Sequence, residues 1–95
     1  MFHAKVVPVT AAPTLLVEAS QRRQAILIKN PDLTDSVKVG GVDVTFAQGF
    51  SIKAGDTLVL GTSQFSREAK GAVWAITDTG IAINVEILEF NIENL

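Results

Sequence analysis

Four aspartates in predicted turns are the residues of this 95-residue chain whose type would best suit a metal-binding site. They are Asp32, Asp35, Asp43 and Asp56. Calcium prefers carboxylate and carbonyl oxygens as ligands, but the spacing of these residues fits no calcium-binding loop. Asp is also favoured in turns, because its side chain accepts hydrogen bonds from nearby backbone. We therefore predict that they shape turns, and we expect neither a metal nor another cofactor.

Residue types that most catalytic sites need are scarce. The chain has no cysteine and one histidine, His3. A thiol nucleophile, a Ser-His-Asp triad or a multi-histidine metal site within one chain is therefore not expected. No segment reads GxGxxG or GxxxxGK before a helix, which argues against a phosphate-binding loop. We predict that the protein is not an enzyme.

Charge is unevenly distributed around a net value of −2. Residues 1–53 carry six basic and four acidic side chains, and residues 54–95 carry two basic and six acidic ones. This asymmetry suits head-to-tail association of copies, although charges scattered over a solvated surface would look the same. A dominant basic face is missing, so nucleic acid is not an expected partner.

Membrane insertion and secretion are not expected from the sequence. No segment approaches the roughly 18–20 consecutive apolar residues of a membrane-spanning helix. The start, MFHAKVVPVT, lacks the uninterrupted apolar region of a secretory signal, because Pro8 interrupts it. We expect a protein made in a cytoplasm.

Alternation of apolar and polar residues dominates the chain and predicts strands. Residues 72–78 and 81–90, AVWAITD and IAINVEILEF, predict two strands joined as a hairpin by a turn containing Gly80. A second hairpin is predicted around Gly40-Gly41, between short β-branched runs. Further strands are predicted at 14–18, 25–29 and 57–60, and a short helix at 63–71.

Seven or eight short strands with turns every 8–12 residues are typical of an all-β fold. We predict one compact antiparallel β-sandwich, jelly-roll-like, over residues 14–95, with an extended N-terminal arm at residues 1–13. The arm contains two prolines, Pro8 and Pro13. It is expected either as an edge strand that proline protects or as a segment that reaches a neighbouring molecule.

Candidate contact residues fall in three groups: the N-terminal segment, the double arginine before strand 25–29, and phenylalanines in predicted loops. Trp74 is expected in the core rather than on a sugar-binding surface. The loop phenylalanines fit equally well as plugs at the ends of the sandwich and as contacts for a partner. The candidates are Phe2, His3, Lys5, Val7, Pro8, Arg22, Arg23, Phe46, Phe50 and Phe65.

The run RRQAILIKNPDLTDSVKVGGVDVTFAQGFSIKAGDTLVL resembles small β-sandwich virion proteins of tailed bacteriophages. The shared pattern is a basic residue before an apolar strand ending in K-N, then V-x-V-G-G-x-x-V-T, a glycine and I-x-A-G. The later AVWAITDTGIAINVEILE resembles the closing strands of these proteins. The resemblance covers about residues 20–90, and it carries no catalytic motif.

The resemblance implies a structural role in a virion, without indicating where on the virion the protein lies. Together with the small size, the sandwich pattern and the extended N-terminal arm, it leads us to expect a capsid decoration (cement) protein that binds the outside of the assembled head and stabilises it. The expected partners of such a decoration protein are the major capsid protein and other copies of this chain, with a homotrimer favoured because symmetry adds avidity, and a dimer as the alternative. The expected location is the capsid surface of a virion, after synthesis in the host bacterial cytoplasm. The alternative function is a tail or fibre module that recognises a host carbohydrate.

Overall fold

The structure, a computed structural model, describes residues 2–61 and 71–91. Eight strands form over these residues, and no helix occurs within them. The strands are β1 (Phe2–Val9), β2 (Thr14–Val17), β3 (Arg23–Lys29), β4 (Val37–Gly40), β5 (Phe50–Ile52), β6 (Thr57–Leu60), β7 (Val73–Ile76) and β8 (Ile83–Asn91). The described residues therefore contain no helix that could cross a membrane.

The strands build two four-stranded antiparallel sheets. Sheet A has the order β1-β8-β3-β6 and sheet B the order β2-β7-β4-β5. Successive strands alternate between the sheets, except that β4 and β5 are neighbours in sheet B. These two strand orders are those of an eight-stranded jelly roll. The prediction of an all-β, jelly-roll-like sandwich is confirmed.

The core lies between the sheets and consists of aliphatic side chains from alternate strand positions. In β8, Ile83, Val85 and Ile87 point inward, whereas the residues between them face outward. Burial of one such side chain stabilises the fold by roughly 1.5–3 kcal/mol. The remaining core members are Val9, Leu16, Val17, Ile26, Ile28, Val37, Val39, Ile52, Val73 and Ala75.

The predicted hairpin over residues 72–90 is wrong in its pairing. Both strands exist, and a turn forms between them, with a hydrogen bond of 3.0 Å from the Ile81 N–H to the Asp78 carbonyl. However, β7 pairs with β2 and β4 in sheet B, and β8 pairs with β1 and β3 in sheet A. The turn therefore carries the chain across the sandwich instead of closing a hairpin.

The predicted Gly40-Gly41 hairpin is also wrong. β4 ends at Gly40 and pairs with β5, which begins after nine intervening residues. Residues 41–49 form a loop instead of a strand. Val44 in this loop is only 3% exposed, because it packs against Gly40 and Gly49. A β-carbon at Gly40 or Gly49 would lie 3.2 or 3.0 Å from a methyl group of Val44.

The N-terminal segment forms an edge strand, the first of its two expected forms. Residues 2–9 pair with β8 over eight successive residues, and the other side of β1 is an edge of sheet A. Val9 is fully buried in the core, so β1 is part of the sandwich. Pro8 suits this position, since proline in sheets is found on edge strands. The helix predicted at 63–71 lies outside the described residues, apart from Gly71.

Gly61 marks a close approach between β6 and β3. Its φ of +116° is a backbone conformation that favours glycine. A β-carbon at this position would lie 2.4 Å from the Gln24 carbonyl oxygen and 2.6 Å from the α-carbon of Ala25. The chain therefore leaves β6 through a gap that only glycine fits.

Candidate interaction surfaces

The predicted turn role of the aspartates is clearest for Asp32. Its carboxylate accepts hydrogen bonds from the N–H groups of Asp35, at 2.7 Å, and Thr34, at 3.2 Å. The N–H of Asp35, followed by that of Thr34, is the main cause of the lowered pKa of Asp32. No group of three or more His, Cys, Asp or Glu residues in the described ranges could hold a metal ion.

Asn30 fixes the end of β3 beside this turn. The side-chain amide of Asn30 is buried and donates to the carbonyls of Asp35 and Ile52, both at 2.9 Å. Its side-chain oxygen accepts from the Asp32 N–H at 3.0 Å. Its backbone N–H donates to the Asp56 carbonyl, also at 3.0 Å. Asn30 therefore holds two turns against each other, and these bonds account for its burial.

Arg23 is wrong as a candidate contact residue, because its side chain is 1% exposed. Its guanidinium donates to the Glu18 carbonyl at 2.9 Å, to the Glu89 carboxylate at 3.3 Å and to the Gly71 carbonyl. Glu89 lies on β8 in sheet A, whereas Glu18 follows β2 and Gly71 precedes β7, which are strands of sheet B. Arg23 therefore connects the two sheets. Arg22, next to it, is exposed.

The N-terminal candidates lie on β1 and differ in their accessibility. Phe2 is 70% exposed, and its ring meets the ring of Phe90 edge-on, with centroids 4.7 Å apart. His3, Lys5 and Pro8 are also exposed. Val7 is half-buried and packs against the core, so its side chain supports the fold.

The loop phenylalanines serve different purposes. Phe46 is half-buried, and its ring lies over Lys38, with 5.4 Å between the Nζ atom and the ring centroid. This cation–π contact helps to hold the 41–49 loop on the outer side of sheet B. Phe50 is 63% exposed and remains a candidate contact. Phe65 lies outside the described residues.

Phe50 also lines a cleft of about 600 Å³ where β5 and β6 leave the sandwich open. Leu58, Leu60, Val39 and Val73 form other parts of its wall. None of the described residues that line the cleft is an acid, a base or a nucleophile. Apolar contact is the chemistry that this wall offers.

The outer faces of the two sheets differ in their covering. On sheet B, the 41–49 loop packs over β4 through Val44, Gly49 and Phe46. Trp74 lies half-buried on this outer face, with Leu15 and Gly40 as its cross-strand neighbours. The expectation that Trp74 belongs to the core between the sheets is therefore wrong.

The outer face of sheet A carries an apolar surface, here named the sheet A face. Cross-strand register places its members side by side, because directly opposed residues share a face. Phe2, Val6 and Val59 are 70%, 58% and 47% exposed. No described loop packs over it as the 41–49 loop packs over sheet B. The sheet A face consists of Phe2, Ala4, Val6, Ala25, Leu27, Val59, Leu88 and Phe90.

Sequence reasoning missed this surface. Alternation along residues 81–90 and the apolar run at 25–29 predict two strands, but they do not indicate that these strands lie side by side. The sequence shows Leu27 and Leu88 as apolar residues of two separate strands. Only the register of β3 and β8 shows that they are neighbours on one face. Large exposed apolar patches mark interaction sites.

Comparison with known proteins gives no further assignment: no protein-family model, no curated protein and no solved structure matches the chain.

Proposed function

We propose that this chain is a bacteriophage capsid decoration protein, which binds the outside of the assembled head and stabilises it. The resemblance of residues 20–90 to small virion proteins supports this function. The jelly-roll strand order agrees with the sandwich that the resemblance implies. The described residues offer surfaces for protein contact and no metal-binding group.

The outer edge of β1, with which no described strand pairs, is the observation that carries the proposal. β1 has eight residues, whereas the other edge strands, β2, β5 and β6, have four, three and four. Proteins usually keep edge strands short or blocked, because unpaired backbone groups attract another strand. Pro8 blocks β1 only near its end, so the rest of this long edge can serve as a docking element, to which an extended segment of the major capsid protein can add as a further strand.

The chemistry of β1 suits such docking. Exposed Lys5 and His3 lie on the strand and can contact acidic groups of the shell. Pro8 lacks an N–H, and proline in edge strands has its nitrogen turned away from the sheet. Residues two apart direct their N–H groups to the same side, so Ala4 and Val6 present donors to an added strand.

A decoration protein stabilises a shell by binding the assembled lattice more tightly than free subunits. Several copies seated around a symmetry axis add avidity to each single contact. The proposed function therefore requires only a modest contact from each copy.

The experiment is a binding assay between the purified chain and capsids that lack it. Ala4→Pro removes one outward donor from β1, and Ala4→Ser keeps it and serves as the matched control. We expect Ala4→Pro to weaken shell binding at least about tenfold, with both variants equally folded by circular dichroism. Equal binding by the two variants would exclude the β1 edge as the docking element. Binding of wild-type chain to a glycan panel, without binding to shells, would favour the tail or fibre alternative.

A further inference from the structure

The residues of the sheet A face form regular rows across its four strands, and the proposed function does not explain these rows. Register aligns Ala4, Leu88, Leu27 and Val59 in one row across β1, β8, β3 and β6. All four members of this row are apolar. A complete row of apolar residues across four strands is unusual on the outer face of an antiparallel sheet, which is usually polar.

The adjacent row contains two opposite charges. It consists of Val6, Glu86, Lys29 and Thr57, so Glu86 and Lys29 are direct cross-strand neighbours. Both side chains are exposed. The structure records no ion pair between these two residues. Each is therefore available to a charge that approaches from outside the sheet.

The sheet A face of a second copy can pack on these rows with complementary contacts. A two-fold axis parallel to the strands, between β8 and β3, places β8 of one copy over β3 of the other at the same height. Leu88 then faces Leu27 of the second copy, and Glu86 faces Lys29 of the second copy. Each contact occurs twice, as an isologous interface requires.

Side-chain sizes are also complementary across this two-fold axis. Phe90 is opposed to Ala25 within sheet A. Across the two-fold axis, Phe90 of each copy lies over Ala25 of the other. A large residue then meets a small one, which lets the two surfaces interdigitate.

The other two-fold arrangement is unfavourable. An axis perpendicular to the strands would place β8 over β8 with the rows reversed. Glu86 would then face Phe90 of the second copy, and a charge would be buried without a partner. Charge complementarity therefore selects the axis parallel to the strands.

We propose that the sheet A face is the interface of a symmetric homodimer, built face to face about this axis. The interface leaves the β1 edge accessible, and both copies present the same end of the sandwich. Four strands and about six residues per strand cover roughly 19 by 20 Å. This is a small interface, so we expect a reversible dimer with a dissociation constant on the order of 10 µM.

The first test is sedimentation equilibrium of the full purified chain from about 1 to about 200 µM. We expect the mass to rise with concentration towards twice the 10.1 kDa of one chain. Leu27→Glu should raise the dissociation constant at least about tenfold by burying an unpaired charge. Val42→Glu is the matched control, because Val42 is 66% exposed in the 41–49 loop. It should leave the dissociation constant unchanged.

The second test is a charge-exchange cycle at the same interface. Lys29→Glu and Glu86→Lys each oppose like charges across the axis, and each should weaken dimerisation about tenfold. The double variant restores opposite charges and should recover most of the lost affinity. Thermal unfolding of dilute monomer reports any effect on the chain itself, so the cycle remains informative if Leu27→Glu fails to fold.

Three outcomes would exclude the sheet A face as the interface of a homodimer. They are a monomer at the highest concentration, a trimer, and a dimer whose affinity is the same in Leu27→Glu and Val42→Glu. A dimer in which the double charge exchange fails to restore affinity would exclude the parallel axis. None of these measurements depends on a virion, so they test the interface separately from the proposed function.

Discussion

The guanidinium Nη1 of Arg23 lies 3.3 Å from the Oε2 atom of Glu89, in an ion pair whose arginine side chain is 1% exposed and whose glutamate side chain is 16% exposed. The same guanidinium donates to the carbonyls of Glu18 and Gly71. Glu89 belongs to sheet A, and Gly71 leads into β7 of sheet B. Arg23 is therefore a polar connection between sheets whose other contacts are mainly aliphatic.

Replacement of this arginine should destabilise the fold strongly. In Arg23→Met the aliphatic part of the side chain is kept, but Glu89 and two carbonyls lose their donor. Removal of one partner from a buried ion pair costs about 3 kcal/mol or more. Urea unfolding of Arg23→Met should show this loss, whereas Arg22→Met, an exposed neighbour, should lose less than about 1 kcal/mol. Similar losses in the two variants would contradict the role given to Arg23.

Gly61 should tolerate alanine far less well than Gly55. Both glycines have positive φ, +116° and +80°, so a β-carbon strains the backbone at either position. At Gly61 it would also collide with Gln24 and Ala25, whereas at Gly55 nothing lies within 4 Å. We expect a loss of about 1 kcal/mol for Gly55→Ala and about 3 kcal/mol for Gly61→Ala. Chemical denaturation of both variants measures the difference, and equal losses would show that β6 can move away from β3.

Asp32 should stabilise the protein at neutral pH and lose this effect in acid. The N–H groups of Asp35 and Thr34 stabilise its charged form in the folded state, and its pKa lies below the ordinary 3.8. A lowered folded pKa gives stability that is present above the unfolded pKa and disappears as the pH falls through the folded value. We therefore expect wild type to be more stable than Asp32→Asn at pH 7.

The difference between wild type and Asp32→Asn should shrink below the ordinary pKa of 3.8. Thermal melts at a series of pH values test this expectation. Asp56→Asn, which removes one negative charge from an exposed turn, is the control for a change in net charge. A stability difference that stays constant down to strong acid would contradict the assignment.

Strand identity could be predicted from the sequence, but strand pairing could not. Alternation marks Ile83, Val85 and Ile87 as one face of a strand, and the structure buries that face. The turn at Gly80 also forms as its residues indicate. Pairing depends on which partner gives each strand the best long-range contacts. β8 has nine residues and pairs along β1 and β3, which the four-residue β7 could not match.

The candidate surfaces were harder to predict for the same reason. The position of Arg23 before an apolar strand predicts an exposed contact residue, but its partners Glu89 and Gly71 lie 66 and 48 residues further along the chain. Leu27 and Leu88 become neighbours only through the register of β3 and β8. Local pattern therefore identified β1 as an edge or arm, whereas the sheet A face needed the topology.

The central claim is that this chain covers the outside of a bacteriophage head, and copy number in purified virions tests it most directly. Quantitative mass spectrometry compares peptides of this chain with peptides of the major capsid protein. We predict a copy number comparable with that of the major capsid protein, because decoration repeats with the symmetry of the shell. Only a few copies per particle, or none, would contradict the claim.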